Sequence, residues 1–588
     1  MRLARAFLLL LLTLPAAAQT QQAIEQNLGT PVPIEGVSGP TLEQRMKELG
    51  VAAISYAVVE DGRVVLAAAR GLADIESGRR ATTSTLFQAA SISKPVTAMA
   101  VMDLVERGQL PLEAPVNSLL RTWKLPDNEL TAKTPVTLRM LLSHSGGTTV
   151  HGFPGYATDQ KLPTLIEILN GTPPANTTAI VVDLPPNTRQ RYSGGGIEVV
   201  QQVLHDQFAT PFPELMRRTV LAPLGMRRST YEQPLPRARR DEAATAYRLG
   251  PTELRGKWHI YPENAAAGLW TTPAELAQTI IEMQDALAGR PTRVLSTDAA
   301  WHMLKRRFPP GDIPPIGIGF FLEEHDGVPY FSHGGYNEGF LSQLMATRDG
   351  RQGAVVMTNS DGGSILLWDL LAAIAREYRW PGFSPKPLHP VSVSAAEADR
   401  VIGRYESESG EVISIRRRGD ALQVLDVTTG WHTLYAIEGG LFARNDRNVR
   451  YAKEGDALLV IENEKRTTAH ALPADAPIRA DELLGERRLE EALAAYRAEF
   501  AAGRLPERVL DERAAAMIEA ARPAEALALF GLNAELYSNR RRRKRGWRAA
   551  TSIRGRTRAR SPRTSSRCSG STPTRASTPR RRARCAAG

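Results

Sequence analysis

The sequence predicts an α+β fold in which an antiparallel sheet is flanked by helices and contains a helical insert. A small all-β module and a short helical segment follow. Three observations support this fold class. β-rich runs stand near both ends of the segment 41–380, with helical periodicity between them. Beyond a proline-rich break at 381–387, apolar and polar residues alternate in several short runs. After these runs, a helical pattern occurs twice with a fixed period.

The strands of the first unit are predicted at its two ends. Residues 54–60 and 64–70 flank Asp61-Gly62-Arg63, a sequence typical of a β-hairpin. Between residues 318 and 359, further β-rich runs alternate with two Asp-Gly turns. We therefore expect strands from both ends to complete one antiparallel sheet.

Helical periodicity occupies the middle of this unit and returns at its C-terminal end. Apolar residues recur every three or four positions in four stretches, at about 93–107, 197–208, 273–287 and 365–378. The stretches in the middle form the predicted helical insert.

Two further modules are predicted beyond the break. Alternating runs between glycine turns at 401–472 predict a small all-β module, in which nothing indicates catalysis. The triplet at 491–493 and Tyr496 recur at 525–527 and Phe530. This spacing matches the tetratricopeptide period of about 34 residues, which predicts a short helical repeat. Chance similarity between alanine-rich helices is the alternative.

The N-terminus has the pattern of a secretory signal peptide. Arg2 and Arg5 precede an apolar run at 6–14, and Ala16-Ala17-Ala18 then offers a small-residue cleavage site. The alternative is a membrane anchor, but a helix needs about 20 apolar residues to span a bilayer. We expect an exported protein, periplasmic or secreted, without a transmembrane span.

The charge of the chain is unevenly distributed. The net charge is +11, but the segment 539–588 contains 17 Arg, one Lys and no Asp or Glu, so the rest of the chain carries −7. Cys568 and Cys585 also lie in this tail. The body therefore lacks the residues for a disulfide framework, a cysteine zinc site or a cysteine nucleophile. No nucleic-acid partner is expected from the body.

The Arg-rich tail has three interpretations. It could be a disordered arm that binds polyanions such as nucleic acid, a low-complexity linker without a partner, or an out-of-frame translation. The composition changes abruptly at Asn539, and all acidic residues vanish there. Residues 568–578 can also be back-translated with GC-rich codons. Reading that DNA one base earlier gives a protein sequence that resembles the end of a tetratricopeptide repeat. These observations favour a frameshift product.

Ser91 and Lys94 form the pattern that carries chemistry. They lie three residues apart at the start of the first predicted helix, so both side chains share one helical face. A serine hydroxyl needs an adjacent base to act as a nucleophile. A lysine amine can serve only if burial or nearby positive charge lowers its pKa from about 10.4. Alone, the pattern is equally typical of a solvated lysine after a serine N-cap.

The motifs that accompany this pair make the pattern specific. Tyr192-Ser193-Gly194 begins another predicted helix, and His333-Gly334-Gly335 ends a predicted strand. In this order and spacing, the sequence resembles the penicillin-recognising serine hydrolases, in the branch of class C β-lactamases, D-aminopeptidases and related esterases. The resemblance covers about residues 55–376. Further matching segments lie at 141–147, 223–226, 267–273 and 339–340.

The resemblance implies a role for each matched residue. Ser91 would be the acyl-accepting nucleophile and Lys94 its base or proton relay. Tyr192 would share proton transfer to the leaving group and activate the deacylating water. The resemblance also implies that the N–H groups of Ser91 and Tyr336, which follows Gly335, form the oxyanion hole, and that His333 binds or polarises the substrate. His144 is expected to be structural. No metal or cofactor is implied.

Two departures from the family pattern bear on the substrate. β-Lactamases of this branch carry Asn where this chain has Gly194, and Lys where it has His333. The chain thus lacks the amide and the cation that meet a β-lactam, since histidine is mostly neutral at pH 7. We expect an esterase, D-amino-acid amidase or peptidase acting on a small molecule or peptide. The alternative is a catalytically silent sensor of cell-wall peptides or β-lactams.

These inferences divide the chain into seven segments. No partner is identified for the helical repeat. The segments are a signal peptide at 1–18, a linker at 19–40, a β-lactamase/transpeptidase-like hydrolase domain at 41–380, a linker at 381–391, the β module at 392–474, the tetratricopeptide-like helices at 478–538 and the disordered tail at 539–588.

Overall fold

The computed structural model describes residues 16–250, 252–309, 314–463, 465–520 and 522–537. Residues 1–15 of the signal peptide and the Arg-rich tail at 539–588 lie outside these ranges, so both stay predictions. Within the described part of the chain, no helix combines the length and apolar character needed to cross a bilayer.

The strands of the first domain form one large sheet and several two-residue ladders. They are β1 (Ala53–Glu60), β2 (Arg63–Asp74), β3 (Arg79–Arg80), β4 (Phe87–Gln88), β5 (Tyr156–Ala157), β6 (Tyr247–Arg248), β7 (Thr252–Glu253), β8 (His259–Ile260), β9 (Trp270–Thr271), β10 (Phe321–His325), β11 (Val328–Asn337), β12 (Phe340–Thr347) and β13 (Gln352–Thr358). The order in the large sheet is β10-β11-β12-β13-β1-β2-β3, and every neighbouring pair is antiparallel. The predicted sheet of distant strands is therefore confirmed.

The helices of the first domain precede the sheet, interrupt it and follow it. They are α1 (Ala16–Gln26), α2 (Leu42–Glu48), α3 (Ser93–Glu106), α4 (Val116–Leu119), α5 (Glu129–Lys133), α6 (Leu138–Leu142), α7 (Leu165–Asn170), α8 (Gly194–Phe208), α9 (Phe212–Met216), α10 (Asn264–Ala267), α11 (Pro273–Leu287), α12 (Thr297–Met303) and α13 (Ser364–Glu377). Short 3₁₀ helices at Ala90–Ile92, Arg237–Glu242 and Asp361–Gly363 and a π-helical turn at Arg217–Leu221 complete the set. The predicted helical insert thus lies between β3 and β10.

Both faces of the sheet are covered by helices. Along β1, Ile54 and Tyr56 belong to a core shared with α1, α2 and α13. Ala53 and Ala57 belong to the larger core on the opposite face, which contains the helical insert. Side chains of a strand alternate between faces, so a strand buried on both sides needs an almost continuous apolar run. This explains the apolar composition of residues 53–59.

The segment 19–40 differs from the expected linker, because its first part belongs to α1 and packs on α13. Ile24 and Leu28 are buried in the core beneath the sheet, and the Tyr56 hydroxyl donates to Glu25 Oε1 over 2.8 Å. Two apolar residues four apart are a weak signal by themselves. Ile24 in α1 and Leu28, two residues beyond its end, are buried only because α13 offers a complementary apolar surface.

The predicted β module is a closed antiparallel barrel in which the last strand pairs with the first. Its strands are β14 (Gly403–Ser407), β15 (Val412–Arg418), β16 (Ala421–Asp426), β17 (Gly430–Ile437), β18 (Leu441–Ala443), β19 (Val449–Glu454), β20 (Ala457–Glu462) and β21 (Lys465–Ala471), preceded by α14 (Ala395–Asp399) and with a 3₁₀ turn at Glu438–Gly440. Tyr405, Val424 and Leu458 are among the side chains that fill it. Closure removes exposed strand edges from this module.

The C-terminal helices pack around a separate apolar core. They are α15 (Ala480–Gly485), α16 (Leu489–Ala501), α17 (Glu507–Glu519) and α18 (Pro523–Leu536). Ala492 on α16 and Ala526 on α18, which occupy equivalent positions of the two predicted repeats, are both buried in this core. The tetratricopeptide assignment itself stays a prediction.

Candidate active site

Ser91 and Lys94 meet at the junction between a short 3₁₀ helix, Ala90–Ile92, and α3. The Lys94 Nζ donates a hydrogen bond of 2.9 Å to the half-buried Ser91 Oγ. It also donates to the carbonyl oxygen of Ala266, 2.8 Å away. The Lys94 side chain is thus directed inward, and the residue is only 2% exposed. The amine is therefore buried and is directed at the Ser91 hydroxyl and the Ala266 carbonyl.

Ala90 has a backbone conformation that is unusual for a residue with a side chain. Its φ is +50°, in the left-handed region. Non-glycine residues adopt this region rarely, and such residues cluster at functional sites. The turn at Ala90 presents Ser91 at the N-terminal end of α3, where backbone N–H groups lack helical partners.

Tyr192 is held beside this pair by stacked rings. It precedes α8, whose N-cap is Ser193. Its ring stacks on His144 with the centroids 4.4 Å apart, and Phe321 lies parallel to it at 6.0 Å. The Lys94 Nζ is 5.1 Å from the Tyr192 ring centroid. The structure therefore brings Ser91, Lys94 and Tyr192 into one cluster.

His144 holds both Tyr192 and the residue that follows it. Its Nδ1 accepts the Ser193 N–H over 3.0 Å. Since Nδ1 accepts, a neutral His144 ring carries its proton on Nε2. Burial, together with the charge of Lys94, holds the pKa of His144 well below its usual value. A neutral buried ring that caps one residue and stacks on another agrees with the structural role expected from the sequence.

His333 lies on β11, and its ring faces Tyr192 at a centroid distance of 6.0 Å. Its Nδ1 is 2.6 Å from the Gly334 carbonyl oxygen. A carbonyl only accepts, so Nδ1 carries the proton and Nε2 is an acceptor. Burial and the nearby Lys94 lower the pKa of His333 to about 3. At neutral pH this position therefore offers a neutral acceptor where the family pattern has a cation.

Gly335 allows β11 to approach the Ser91 turn closely. A Cβ on Gly335 would overlap the Ala89 carbonyl oxygen, which already accepts a 2.9 Å hydrogen bond from Ser342 Oγ. The next residue, Tyr336, projects its side chain outward and is 59% exposed. Strand β10 pairs with β11 only as far as Ser332. In the described part of the sheet, residues 333–337 thus form an open edge beside Ser91.

The loop at 148–153 packs directly against Gly194. The Gly194 N–H donates to the His151 carbonyl oxygen over 3.0 Å. A Cβ on Gly194 would lie 2.9 Å from the Phe153 ring. The His151 ring, which is exposed, lies 4.9 Å from the Tyr192 ring. A larger side chain at position 194 therefore requires this loop to move.

Sequence reasoning missed His151 and Phe153, because no motif marks their loop. The glycine triplet at 194–196 was the available signal, since it allows another backbone to approach. It also missed Glu198 and Glu263, two fully buried glutamates next to α10. A glutamate within the apolar stretch at 197–204 could have suggested a buried polar contact.

The comparisons with known proteins agree with this geometry. The family model described as Beta-lactamase matches residues 40–375. The chain belongs to the beta-lactamase family. The match spans more than half of the sequence and contains all of the clustered residues described above, from Ser91 to Tyr336.

Curated relatives of this family member include both hydrolases and penicillin-binding proteins. Penicillin-binding protein 4 of Amycolatopsis lactamdurans is 27% identical over 364 residues, covering 58% of this chain and 90% of the relative. A D-aminopeptidase of Cereibacter sphaeroides is 25% identical over 460 residues, covering 74% and 79%. Esterase EstB of Burkholderia gladioli is 37% identical over 107 residues, 18% of this chain and 26% of the esterase.

A solved structure shares the fold. The octameric penicillin-binding protein homologue from Pyrococcus abyssi superposes with a TM-score of 0.50 at 22% identity, covering 73% of this chain and 98% of that one. The family match, with the esterase and D-aminopeptidase relatives, identifies the chain as a serine hydrolase. The substrates of such hydrolases are small molecules or peptides.

Proposed function

We propose that the chain is an exported serine hydrolase that forms an acyl-enzyme at Ser91 and cleaves ester or amide bonds. The observation that carries this proposal is the 2.9 Å hydrogen bond from the buried Lys94 Nζ to Ser91 Oγ. A serine hydroxyl becomes nucleophilic when an adjacent base takes its proton. Lys94 is the adjacent group, and its hydrogen bond to the Ala266 carbonyl orients the amine.

The proposed acylation step uses the clustered residues in turn. Ser91 Oγ attacks the substrate carbonyl carbon while its proton passes to an unprotonated Lys94 amine. The carbonyl oxygen becomes an oxyanion that accepts from the N–H groups of Ser91 and Tyr336. Tyr192 delivers a proton to the leaving group, and the bond from the carbonyl carbon to that group breaks. Lys94 returns the proton to Tyr192.

The proposed deacylation reverses these transfers with water in place of the leaving group. Tyr192 accepts a proton from a water molecule that attacks the acyl carbon and passes its own proton to the unprotonated Lys94 amine. The ester bond to Ser91 Oγ then breaks, and Ser91 regains its proton through Lys94. The product is a carboxylic acid, and no group other than substrate and water is consumed.

The polar groups around the pocket favour substrates without a carboxylate at the position where β-lactams carry one. His333 is neutral and presents an acceptor nitrogen, so it cannot form a charge pair with an anion. Phe153 occupies the space that an amide side chain at position 194 would use. Simple esters and D-amino-acid amides fit these constraints better than penicillins do. The names of the esterase and D-aminopeptidase relatives support the same substrate classes.

Export forms part of the proposal on sequence grounds alone. The basic residues, apolar run and small-residue site of residues 1–18 match a secretory signal. Detection of a mature N-terminus at Gln19 in the periplasm or medium would test it. Retention of the full N-terminus in the cytoplasm would contradict it.

Labelling with a fluorophosphonate probe, combined with a substrate panel, tests the hydrolase proposal. The full chain is expected to label at Ser91 and to turn over p-nitrophenyl esters or D-amino-acid amides, with nitrocefin hydrolysed slowly. Ser91→Ala should abolish both signals, whereas Ser84→Ala, at an exposed serine, should leave them unchanged. Absence of labelling in folded protein would overturn the proposal. Labelling without turnover would favour the sensor alternative.

A further inference from the structure

Helix α10 lies between α3 and α8 and touches the Lys94 side chain directly. The Ala266 carbonyl accepts the Lys94 Nζ at 2.8 Å. One residue earlier, the Ala265 carbonyl accepts Thr97 Oγ1 at 3.1 Å. Two side chains of α3, one turn apart, are thus bound to two consecutive carbonyl groups of α10.

The other side of α10 is bound by α8 in the same register. The Ala266 N–H donates to Glu198 Oε1 over 3.0 Å. The Ala265 N–H donates to Gln201 Oε1 over 2.6 Å. Ala265 and Ala266 are therefore each held at the N–H by α8 and at the carbonyl by α3. Because α10 has only four residues, its own hydrogen bonds cannot fix these groups.

We propose that Glu198 is a positioning residue for Lys94, acting through Ala266. This inference rests on the proposed function, since it assigns Glu198 a part in the reaction of Ser91 and Lys94. Glu198 binds the N–H of the same residue whose carbonyl orients the amine. Gln201 makes the equivalent contact one residue away, where the carbonyl meets Thr97 instead.

The burial of Glu198 argues against a role in packing alone. The residue is 0% exposed, and its Oε2 has no hydrogen-bond partner within the described residues. Burying a polar group without full hydrogen bonding costs free energy, whereas leucine at this position would pack without that cost. The glutamate at this position is therefore explained by the hydrogen bond that its Oε1 accepts from the Ala266 N–H.

The groups facing Glu198 determine its charge. Glu263, just before α10, and Lys94, on α3, both act on its carboxyl group. Burial and the nearby Glu263 raise the pKa of Glu198 well above its ordinary value, although Lys94 opposes this. The other groups around Lys94 are His144, His151 and His333, whose pKa values are all lowered. Glu198 contacts the Ala266 N–H and Lys94 contacts the Ala266 carbonyl, so Glu198 orients the amine through this residue.

Steady-state kinetics of full-length variants test this proposal. Glu198→Leu leaves the Ala266 N–H unpaired and is expected to lower kcat by about 10- to 100-fold with KM changed less than about threefold, because a small misplacement of a reacting group has an effect of this size. Glu198→Gln keeps an acceptor oxygen without a charge, so it should restore kcat to within about threefold and keep the pH profile.

Gln201→Leu is the matched control. It removes the same kind of contact from the neighbouring residue of α10, so it should lower the melting temperature while kcat stays within about threefold of the wild type. Equal kcat in Glu198→Leu and Gln201→Leu would overturn the proposal, as would a Gln variant as impaired as the Leu variant. If Glu198→Leu does not fold, Glu198→Asp, which is too short to reach Ala266, replaces it with the same expected loss. A wild type that Ser91-directed probes fail to label would refute the proposed function instead.

Discussion

A Cβ atom on Gly335 would overlap the carbonyl oxygen of Ala89, two residues before Ser91. Strand β11 and the Ser91 turn are therefore in direct backbone contact. Gly335→Ala should force them apart, lowering kcat/KM by about 100-fold or more and destabilising the fold by about 1–3 kcal/mol. Ester hydrolysis and thermal unfolding measure the two effects.

The neighbouring glycine provides the control for this substitution. A Cβ on Gly334 would lie 3.0 Å from the Gln343 side-chain oxygen, which can rotate away. Gly334→Ala should therefore keep kcat/KM within about threefold of the wild type. If both alanine variants behave alike, close approach at Gly335 is not what the site requires.

Lys94 is predicted to be indispensable for acylation rather than for folding. Lys94→Met keeps the length and apolar stem of the side chain and removes the amine that donates to Ser91. The rate of fluorophosphonate labelling should fall by about 10²–10⁴, the usual contribution of a general base. Thr97→Val, which removes the neighbouring contact to α10, should label within about threefold of the wild-type rate. A Lys94→Met rate within tenfold of the wild type would contradict the assignment.

Tyr192 is predicted to act through its hydroxyl group. Tyr192→Phe keeps the ring that stacks on His144 at 4.4 Å, so the melting temperature should stay unchanged. The kcat for ester hydrolysis should fall by about 10²–10⁴, because proton transfer loses its donor. Tyr330→Phe, on the same strand as His333 but in the opposite core, should retain activity. A fully active Tyr192→Phe enzyme would assign proton transfer to another group.

Glu263 is predicted to make stability depend on pH. Burial raises its pKa from 4.5 to about 8. Between these values the unfolded chain releases a proton that the folded chain keeps, so this carboxyl group makes the fold less stable as the pH rises through about 8. Glu263→Gln removes the penalty. The variant should melt several degrees above the wild type at pH 8.5, and this gain should shrink towards pH 4.5.

The control for this measurement is a surface carboxyl group. Glu324→Gln makes the same change of charge at an exposed position on β10. Its melting temperature should follow that of the wild type across the same pH range. A Glu263→Gln variant with the same pH dependence as the wild type would show that the buried carboxyl group does not titrate there.

Much of the fold could be predicted from the periodicity of apolar residues. The hairpin around Gly62 and the apolar run that became β13 are local patterns, and their antiparallel pairing followed from the position of the helical insert. The packing of α1 could not be predicted, because Ile24 and Leu28, just beyond the helix, are buried only against α13. Closure of the barrel could not be predicted from the sequence either, because it depends on the pairing of β14 with β21, which lie far apart in the chain.

The sequence by itself determined which reactive groups the chain carries. Ser91 and Lys94 are one helical turn apart, so their contact is encoded locally, and the ordered motifs at Tyr192 and His333 indicated the family. Only the tertiary structure decided what surrounds them. Phe153 fills the space above Gly194, and Glu198 reaches Lys94 through Ala266. These contacts join residues that are far apart in the chain, so they depend on how helices and loops pack, which no local period records.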